Sequence, residues 1–381
     1  KHNQTMKILK IAGIVIGIII LILLIVAAFA WYKARHVRDT HDLKERINKL
    51  CYKHISTGQS VGLFVGVIQG NEEWLQGYGS VAQQLVKQPD SNTVFEIGSV
   101  SKVFTTAITQ MLVDKGELSW DDPIARYIPA TAGYKDDSTT LRHLAAHLSG
   151  FPRVPQAWFS KIEANECDPY SVLTMDDLLG YLRNDTDKKK SSMKGYDYSN
   201  VGTGLLGHIL EWKTGKTYEA LLQEYIAGPL HMAHTTMADA DSAIFATGHN
   251  EQGKPTCHWH MPILPGAGAI RASGGDMMVF LKAAMNGTGP VGAAIARTQK
   301  EVASMPGGAI AHGWHIDRTN GAIFGIKEIV WHNGGTGGFR SYIGFIPEKK
   351  TGIVILSNQA SEELDRLAIS MILRANSISL K

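Results

Sequence analysis

The chain has 381 residues, 44% of them hydrophobic, with 38 Lys and Arg against 35 Asp and Glu and a formal net charge of +3. So even a balance leaves no basic footprint for nucleic acid, and the apolar content is enough for one large packed unit rather than a disordered or fibrous chain. The three cysteines, Cys51, Cys167 and Cys257, have no metal or redox spacing; an odd count permits at most one internal disulfide, and buried thiols are the default reading.

Residues 1–10 read as a short cytoplasmic or tag-derived segment, with Met6 as the natural start and the residues before it foreign. From Ile11 to Tyr32 no charged side chain occurs, and Lys7 and Lys10 flank the run on one side and Lys33, Arg35 and Arg38 on the other. That length suits one helical membrane crossing and exceeds the roughly 7–15-residue core of an export signal, so 11–32 is predicted to be a retained membrane anchor. Cleavage near Ala30, after Ala28-Phe29-Ala30, is the alternative. Basic residues at both ends leave the orientation open.

A juxtamembrane linker and first helix follow over 33–57, where Leu43, Ile47, Leu50 and Cys51 recur at helical spacing. The main domain is placed at 58–381. It opens with strands at Val61–Gln69 and Glu72–Tyr78 and closes with strands at Ile329–His332, Ser341–Ile346 and Gly352–Ser357 before a helix near 362–375. Strands at both ends around a long helical middle predict an antiparallel sheet built from the two termini, flanked by helices, with a mainly α-helical lobe inserted between them.

The chemistry concentrates in three places. Glu96-Ile97-Gly98-Ser99-Val100-Ser101-Lys102 puts a serine three residues ahead of a lysine at the mouth of a helix that runs toward Lys115. At that spacing the side chains are neighbours, and the helix N-terminus favours the negative charge that develops in acyl transfer. A buried lysine there can lose its proton and act as a base. Tyr196-Asp197-Tyr198-Ser199-Asn200 is read as extended, so that Tyr198, able to relay a proton, and Asn200, able to position a carbonyl, point the same way. The third place is Trp331-His332-Asn333-Gly334-Gly335, a strand running into small residues, where a backbone N–H can be approached closely.

Other patterns are set aside. Cys257-His258-Trp259-His260 has no second ligand cluster, so no metal is assigned. The glycines at 334–338 lack a Gly-Lys-Ser/Thr ending, so no nucleotide or other cofactor is expected. His143 and His147, four apart on a predicted helix, are read as structural, and Lys188-Lys189-Lys190 as a solvated loop. Lys213-Thr214-Gly215 reads as a helix C-cap and Lys350-Thr351-Gly352 as a hairpin turn.

Taken in order, these three elements resemble the signature of the penicillin-recognising serine hydrolases: class C β-lactamases, D-alanyl-D-alanine peptidases and their esterase relatives. Gly77-Tyr78-Gly79, Leu118-Ser119-Trp120-Asp121-Asp122-Pro123, Leu141-Arg142-His143-Leu144 and Gly228-Pro229-Leu230 add further landmarks, and the resemblance spans roughly 58–360. It implies an α/β (α+β) fold of the serine β-lactamase/DD-peptidase type, with Ser99 as nucleophile and Lys102 and Tyr198 as the proton-transfer pair. It further implies Asn200, His332, Gly334 and Gly335 at the substrate, and an oxyanion hole from the backbone N–H groups of Ser99 and Gly335. The expected substrates are β-lactams or peptidoglycan stem peptides ending in D-alanine. The alternatives are a small-ester or D-amino-acid esterase and a sensor that is acylated without turnover. The resemblance also implies an extracytoplasmic catalytic domain. One departure matters. His332 stands where β-lactamases most often carry lysine, and a largely neutral imidazole attracts a carboxylate less well, which favours the peptidase type slightly; Arg340 is a second candidate for that positive charge.

Overall fold

The computed structural model describes residues 14–28, 42–134, 136–184, 195–377 and 380. An eight-stranded antiparallel sheet organises the domain, in the spatial order β2-β1-β10-β9-β8-β7-β6-β5. Its strands are β1 (Gly62–Gln69), β2 (Glu72–Gly79), β5 (Ala303–Met305), β6 (Gly308–Ile310), β7 (His315–Asp317), β8 (Ile329–Gly335), β9 (Arg340–Ile346) and β10 (Thr351–Ser357). A separate pair joins β3 (Val94–Glu96) to β4 (Arg271–Ser273). The N-terminal strand β1 pairs with the C-terminal β10 over Leu63↔Ser357 to Gln69↔Thr351, so both chain ends build the sheet centre, as the sequence implied.

Strands β1 and β10 are buried along almost their whole length because both faces are covered, and period-2 alternation sorts their side chains. Leu63, Val65 and Val67 of β1 and Ile353 and Ile355 of β10 pack with Leu43, Ile47 and Cys51 of helix α1 (Leu43–Ser56) and with Leu364, Met371 and Ile372 of the C-terminal helix. Phe64, Val354 and Leu356 point the other way, into the main core. That core contains Phe104, Ile108 and Leu112 of helix α2 (Ser101–Asp114), Leu205 and Ile209 of helix α3 (Asn200–Thr214), and Met277 and Phe280 of helix α4 (Gly274–Asn286). Full burial of each such side chain is worth roughly 1.5–3 kcal/mol. The C-terminal helix, α5 (Glu363–Ser377), closes the opposite face. Between β3 and β4 the named elements of the described chain are all helices or helical turns, joined by long irregular stretches, and they form the inserted lobe.

Strands β5, β6 and β7 have only three residues each, too few for alternation to register in sequence, and were not anticipated. The cysteines depart from expectation: Cys167 and Cys257 form a disulfide with Cα atoms 5.3 Å apart, and only Cys51 is a buried thiol. Gly215, at φ +69, caps α3 as expected, and Lys350, at φ +48, turns the chain between β9 and β10.

Residues 14–28 form a helix whose apolar side chains are exposed. Among the described residues no helix is long and apolar enough to cross a membrane. The remainder of the 11–32 span, the cleavage position near Ala30, residues 1–10 and Lys188–Lys190 lie outside the described residues.

Candidate active site

The serine is held where the lobe meets the sheet. After β3 the chain makes a 3₁₀ turn, Gly98–Val100, that runs directly into α2. Gly98 adopts φ +48, and a Cβ there would lie 2.7 Å from the Gly335 nitrogen. A Cβ on Gly334 would overlap the Ile97 carbonyl oxygen and lie 2.9 Å from the Ser99 nitrogen. Only glycine allows this contact between turn and strand. The Ser341 hydroxyl of β9 donates to Ile97 O at 2.7 Å and fastens the turn from the neighbouring strand. The turn that carries the Ser99 N–H and the strand end that carries the Gly335 N–H are thereby held in contact.

Lys102, in the first turn of α2, is 0% exposed. Its Nζ lies 3.0 Å from Ser99 Oγ, 2.9 Å from Asn200 Oδ1 and 2.7 Å from Ala267 O. Burial holds its pKa well below the ordinary lysine value, and the positive charge of Arg153 pushes it the same way. No carboxylate is hydrogen-bonded or ion-paired to it among the described residues. As an ammonium Lys102 donates to all three oxygens; on losing a proton it keeps two N–H donors for Asn200 Oδ1 and Ala267 O and turns a lone pair toward the Ser99 hydroxyl.

Tyr198 and Asn200 do not both lie in an extended segment as the sequence suggested. Ser199 is the extended N-cap of α3, its side chain accepting from Gly202 N, and Asn200 is the first helical residue. Both residues nevertheless reach Ser99's surroundings. The Tyr198 hydroxyl is hydrogen-bonded to Ser99, and burial pushes its pKa up to about 12, so it remains a phenol at neutral pH. Lys102 Nζ sits 4.9 Å and the Arg153 guanidinium 5.1 Å from the Tyr198 ring centroid. Tyr170 is hydrogen-bonded to Asn200.

Histidines line the far side of Tyr198. His143 caps the short helix Leu141–Ala145, but His147 lies beyond that helix at φ +58, not on it as its spacing suggested. Its ring packs 4.4 Å from Tyr198 and its Nδ1 accepts from Ser199 N at 3.1 Å. His315 of β7 is hydrogen-bonded to the Tyr196 hydroxyl at 2.9 Å, and burial pushes its pKa down to about 4.

His332 corrects an expectation. Predicted to meet a substrate carboxylate, it is instead 0% exposed and outside the cleft lining, its ring 6.3 Å from that of Tyr198 and 5.2 Å from that of His315. Burial, with His315 and Lys102 nearby, holds its pKa well below the usual histidine value. Alternation along β8 turns Trp331, Asn333 and Gly335 to the cleft instead. Asn333 Nδ2 donates to Asp365 at 2.6 Å. Arg340, paired with Gly335 across β8 and β9, lays its guanidinium over that glycine and reaches Glu362 at 3.4 Å.

Ser99 stands between two compartments. An open one of about 560 Å³ is lined by Tyr198, His315, Trp331, Asn333 and the acidic start of α5; a smaller one of about 160 Å³ lies on the Asn200 side, under Tyr170, Trp259 and Thr336. The Cys257-His258-Trp259-His260 run holds no metal cluster among the described residues: Cys257 is in the disulfide, His258 pairs with Glu96, and His260 pairs with Asp168 and Asp239. Arg153, His147, His315, Tyr170 and Trp259 were not singled out as site residues, because only tertiary packing brings them to Ser99; the one sequence sign was the aromatic and histidine content of 257–260.

A family model described as beta-lactamase matches residues 40–375. Among curated relatives, a beta-lactamase of Pseudomonas fluorescens is 26% identical over 365 residues, covering 86% of this chain and 96% of the relative. Protein flp of Staphylococcus aureus (strain N315) is 24% identical over 349 residues, covering 87% of this chain and 66% of the relative. Among solved structures, a class C beta-lactamase superposes with a TM-score of 0.77 at 21% identity, covering 91% of this chain and all of that one (100%). A beta-lactamase/D-alanine carboxypeptidase from Pseudomonas syringae gives 0.74 at 21% identity, with coverages of 87% and 98%. These two structures share the fold.

Proposed function

The chain belongs to the beta-lactamase family and is a serine hydrolase, and from that premise we propose that Ser99 forms an acyl-enzyme with carboxylic esters and small peptide-like amides. The observation that carries the reading is the buried Lys102 amine, 3.0 Å from Ser99 Oγ and without a carboxylate partner among the described residues. Neutral Lys102 takes the Ser99 proton as Oγ attacks the carbonyl carbon. The N–H groups of Ser99 and Gly335 receive the developing oxyanion. Tyr198 gives its phenolic proton to the leaving oxygen or nitrogen and is reprotonated from Lys102. Water then attacks the Ser99 ester with the same groups acting in reverse, and the acid is released. Asn200 holds the Lys102 amine in place through Oδ1.

Ester cleavage ranks first because His332 puts no charge where the carboxylate of a penicillin or stem peptide would need one. D-alanyl carboxypeptidase action is the second reading, supported by Arg153 and Arg340 at the cleft and by the likeness to the Pseudomonas syringae protein. We further propose that 11–32 anchors the chain in a membrane with the domain on the oxidising side, where the Cys167–Cys257 bridge would persist. Retention in the pellet after alkaline carbonate extraction tests the anchor.

The function is tested by incubating the full chain with phenyl acetate, a D-alanyl-D-alanine peptide or benzylpenicillin, following product release and intact mass. A transient adduct with phenol release, both lost in Ser99→Ala, is the expected result. A stable adduct lasting hours would favour the sensor; no adduct and no product from any of the three would overturn the reading.

A further inference from the structure

The proton donor distinguishes the two compartments beside Ser99. Tyr198 lines only the open one, so the leaving group departs there and the acyl chain must extend into the smaller compartment on the Asn200 side. We propose, resting on the acyl-enzyme reading, that this smaller compartment selects a short acyl chain ending in a carboxylate.

Size sets the first limit. About 160 Å³ is close to a cavity that holds one benzene-sized group, enough for a four- or five-carbon acyl chain and too little for a peptide. Charge sets the second. Arg153 and Arg340 both line the compartment, and among the described residues no Asp or Glu does. Among the described residues Arg340 pairs with one carboxylate, Glu362 at 3.4 Å, whose side chain is 83% exposed, and its charge is also felt by Asp365; Arg153 makes no ion pair among them.

Unused hydrogen-bonding capacity is the third and independent sign. Thr336, 7% exposed, lines the compartment with its Oγ1 buried and unpartnered. Trp259 and Arg340 also line it, and their Nε1 and Nε atoms are likewise buried without a partner among the described residues, Trp259 Nε1 packed against Gly337 just behind the wall. Buried polar groups are nearly always satisfied, and an indole N–H and a guanidinium N–H can only donate. A ligand that satisfies them brings acceptor oxygens, and between two arginines a carboxylate supplies them best. A long neutral acyl chain would leave these donors unpaired.

The experiment compares phenyl hydrogen glutarate with phenyl pentanoate, acyl chains of equal carbon number, on the full chain, subtracting the rate with Ser99→Ala to remove spontaneous hydrolysis. The expected kcat/KM is at least about tenfold higher for the glutarate ester, a ratio that shrinks as salt is raised. In Arg340→Gln, and by a smaller factor in Trp259→Phe, which keeps a ring and deletes the N–H, the ratio moves toward one. Thermal unfolding of each variant confirms that it is folded. A ratio of one or less, with Ser99-dependent turnover of both esters, overturns the carboxylate preference and leaves the acyl-enzyme reading intact. A ratio that neither substitution moves also overturns this assignment. Absence of Ser99-dependent turnover of either ester overturns both.

Discussion

Replacing Lys102 by methionine keeps most of the buried volume and removes the amine. Two acceptors, Asn200 Oδ1 and Ala267 O, then lose donors at 2.9 and 2.7 Å, a loss of about 1–3 kcal/mol for each buried group left unpaired. Part of this is returned because a desolvated amine is replaced by an apolar thioether. The net change in unfolding free energy should therefore stay within about 3 kcal/mol and leave a cooperative melt. Catalysis should fall much further, since a positioned base contributes about 10²–10⁴ in rate. The pH profile separates base from scaffold. With the Lys102 pKa depressed by burial, kcat/KM of the native chain rises along an acid limb as Lys102 loses its proton, and Lys102→Met abolishes that limb. The assay is ester hydrolysis from pH 5 to 9, beside urea melts of both proteins. A variant keeping more than about a tenth of native kcat/KM, or keeping the acid limb, would refute Lys102 as the base.

Gly334→Ala should cost at least about a hundredfold in kcat/KM, the scale of losing one oxyanion donor, because its Cβ pushes β8 away from the serine turn; steady-state kinetics on a variant that still melts cooperatively checks this. His54 and His312 are buried, with pKa values lowered to about 4 and about 3 chiefly by burial. A folded value below the unfolded one of about 6.5 means that the stability they contribute is complete above pH 6.5 and is lost as pH falls toward 4, at up to about 1.4 kcal/mol per pH unit per group. Urea melts between pH 7 and 5 should show that slope, and it should flatten in His312→Gln. Breaking the Cys167–Cys257 bridge, which spans 90 residues, with paired alanine substitutions should lower stability by roughly 4–5 kcal/mol on the chain-entropy account. The bridge also supports the Tyr170–Trp259 ring contact at 5.3 Å, so KM should rise more than kcat falls.

The parts of the site that reside within one element were readable. Ser99 and Lys102 lie three apart at a helix start, and that local geometry survives whatever packs around it. The small residues Gly334 and Gly335 were readable for a similar reason, since a strand ending in glycines announces close backbone approach. Tyr198 and Asn200 reached the right neighbourhood through a misjudged backbone: the chain changes from extended to helical between them, and Ser199, a strong N-cap residue, was the available sign. What stayed hidden depends on contacts distant in sequence. Arg153, His147 and His315 come from three segments with no motif of their own, and Trp259 follows a cysteine whose partner lies 90 residues away. Strands β5 to β7 carry too few residues for a periodic signal. His332 was identified as a site residue, but its burial follows from which face of β8 turns inward, a matter decided by β7, β9 and Tyr198 together.

The buried, uncharged state of His332 also bears on Lys102. A lysine can be kept neutral by desolvation alone or by adjoining positive charges, and a second permanent cation on β8 would supply the latter while also anchoring anionic leaving groups. Here β8 supplies neither. Desolvation is the principal cause at Lys102, with Arg153 the one charged group that adds to it, and Arg153 and Arg340 reach the small compartment as well as the open one. In the open compartment their charge, joined by that of Arg366, meets Glu362, Glu363 and Asp365, whereas the small one has no acid among its described lining residues. The same two guanidinium groups therefore act with different force on the two halves of a substrate: largely offset on the leaving-group side and unopposed on the acyl side. With no cation on β8, the site's preference for negative charge falls on the group that stays rather than on the group that leaves.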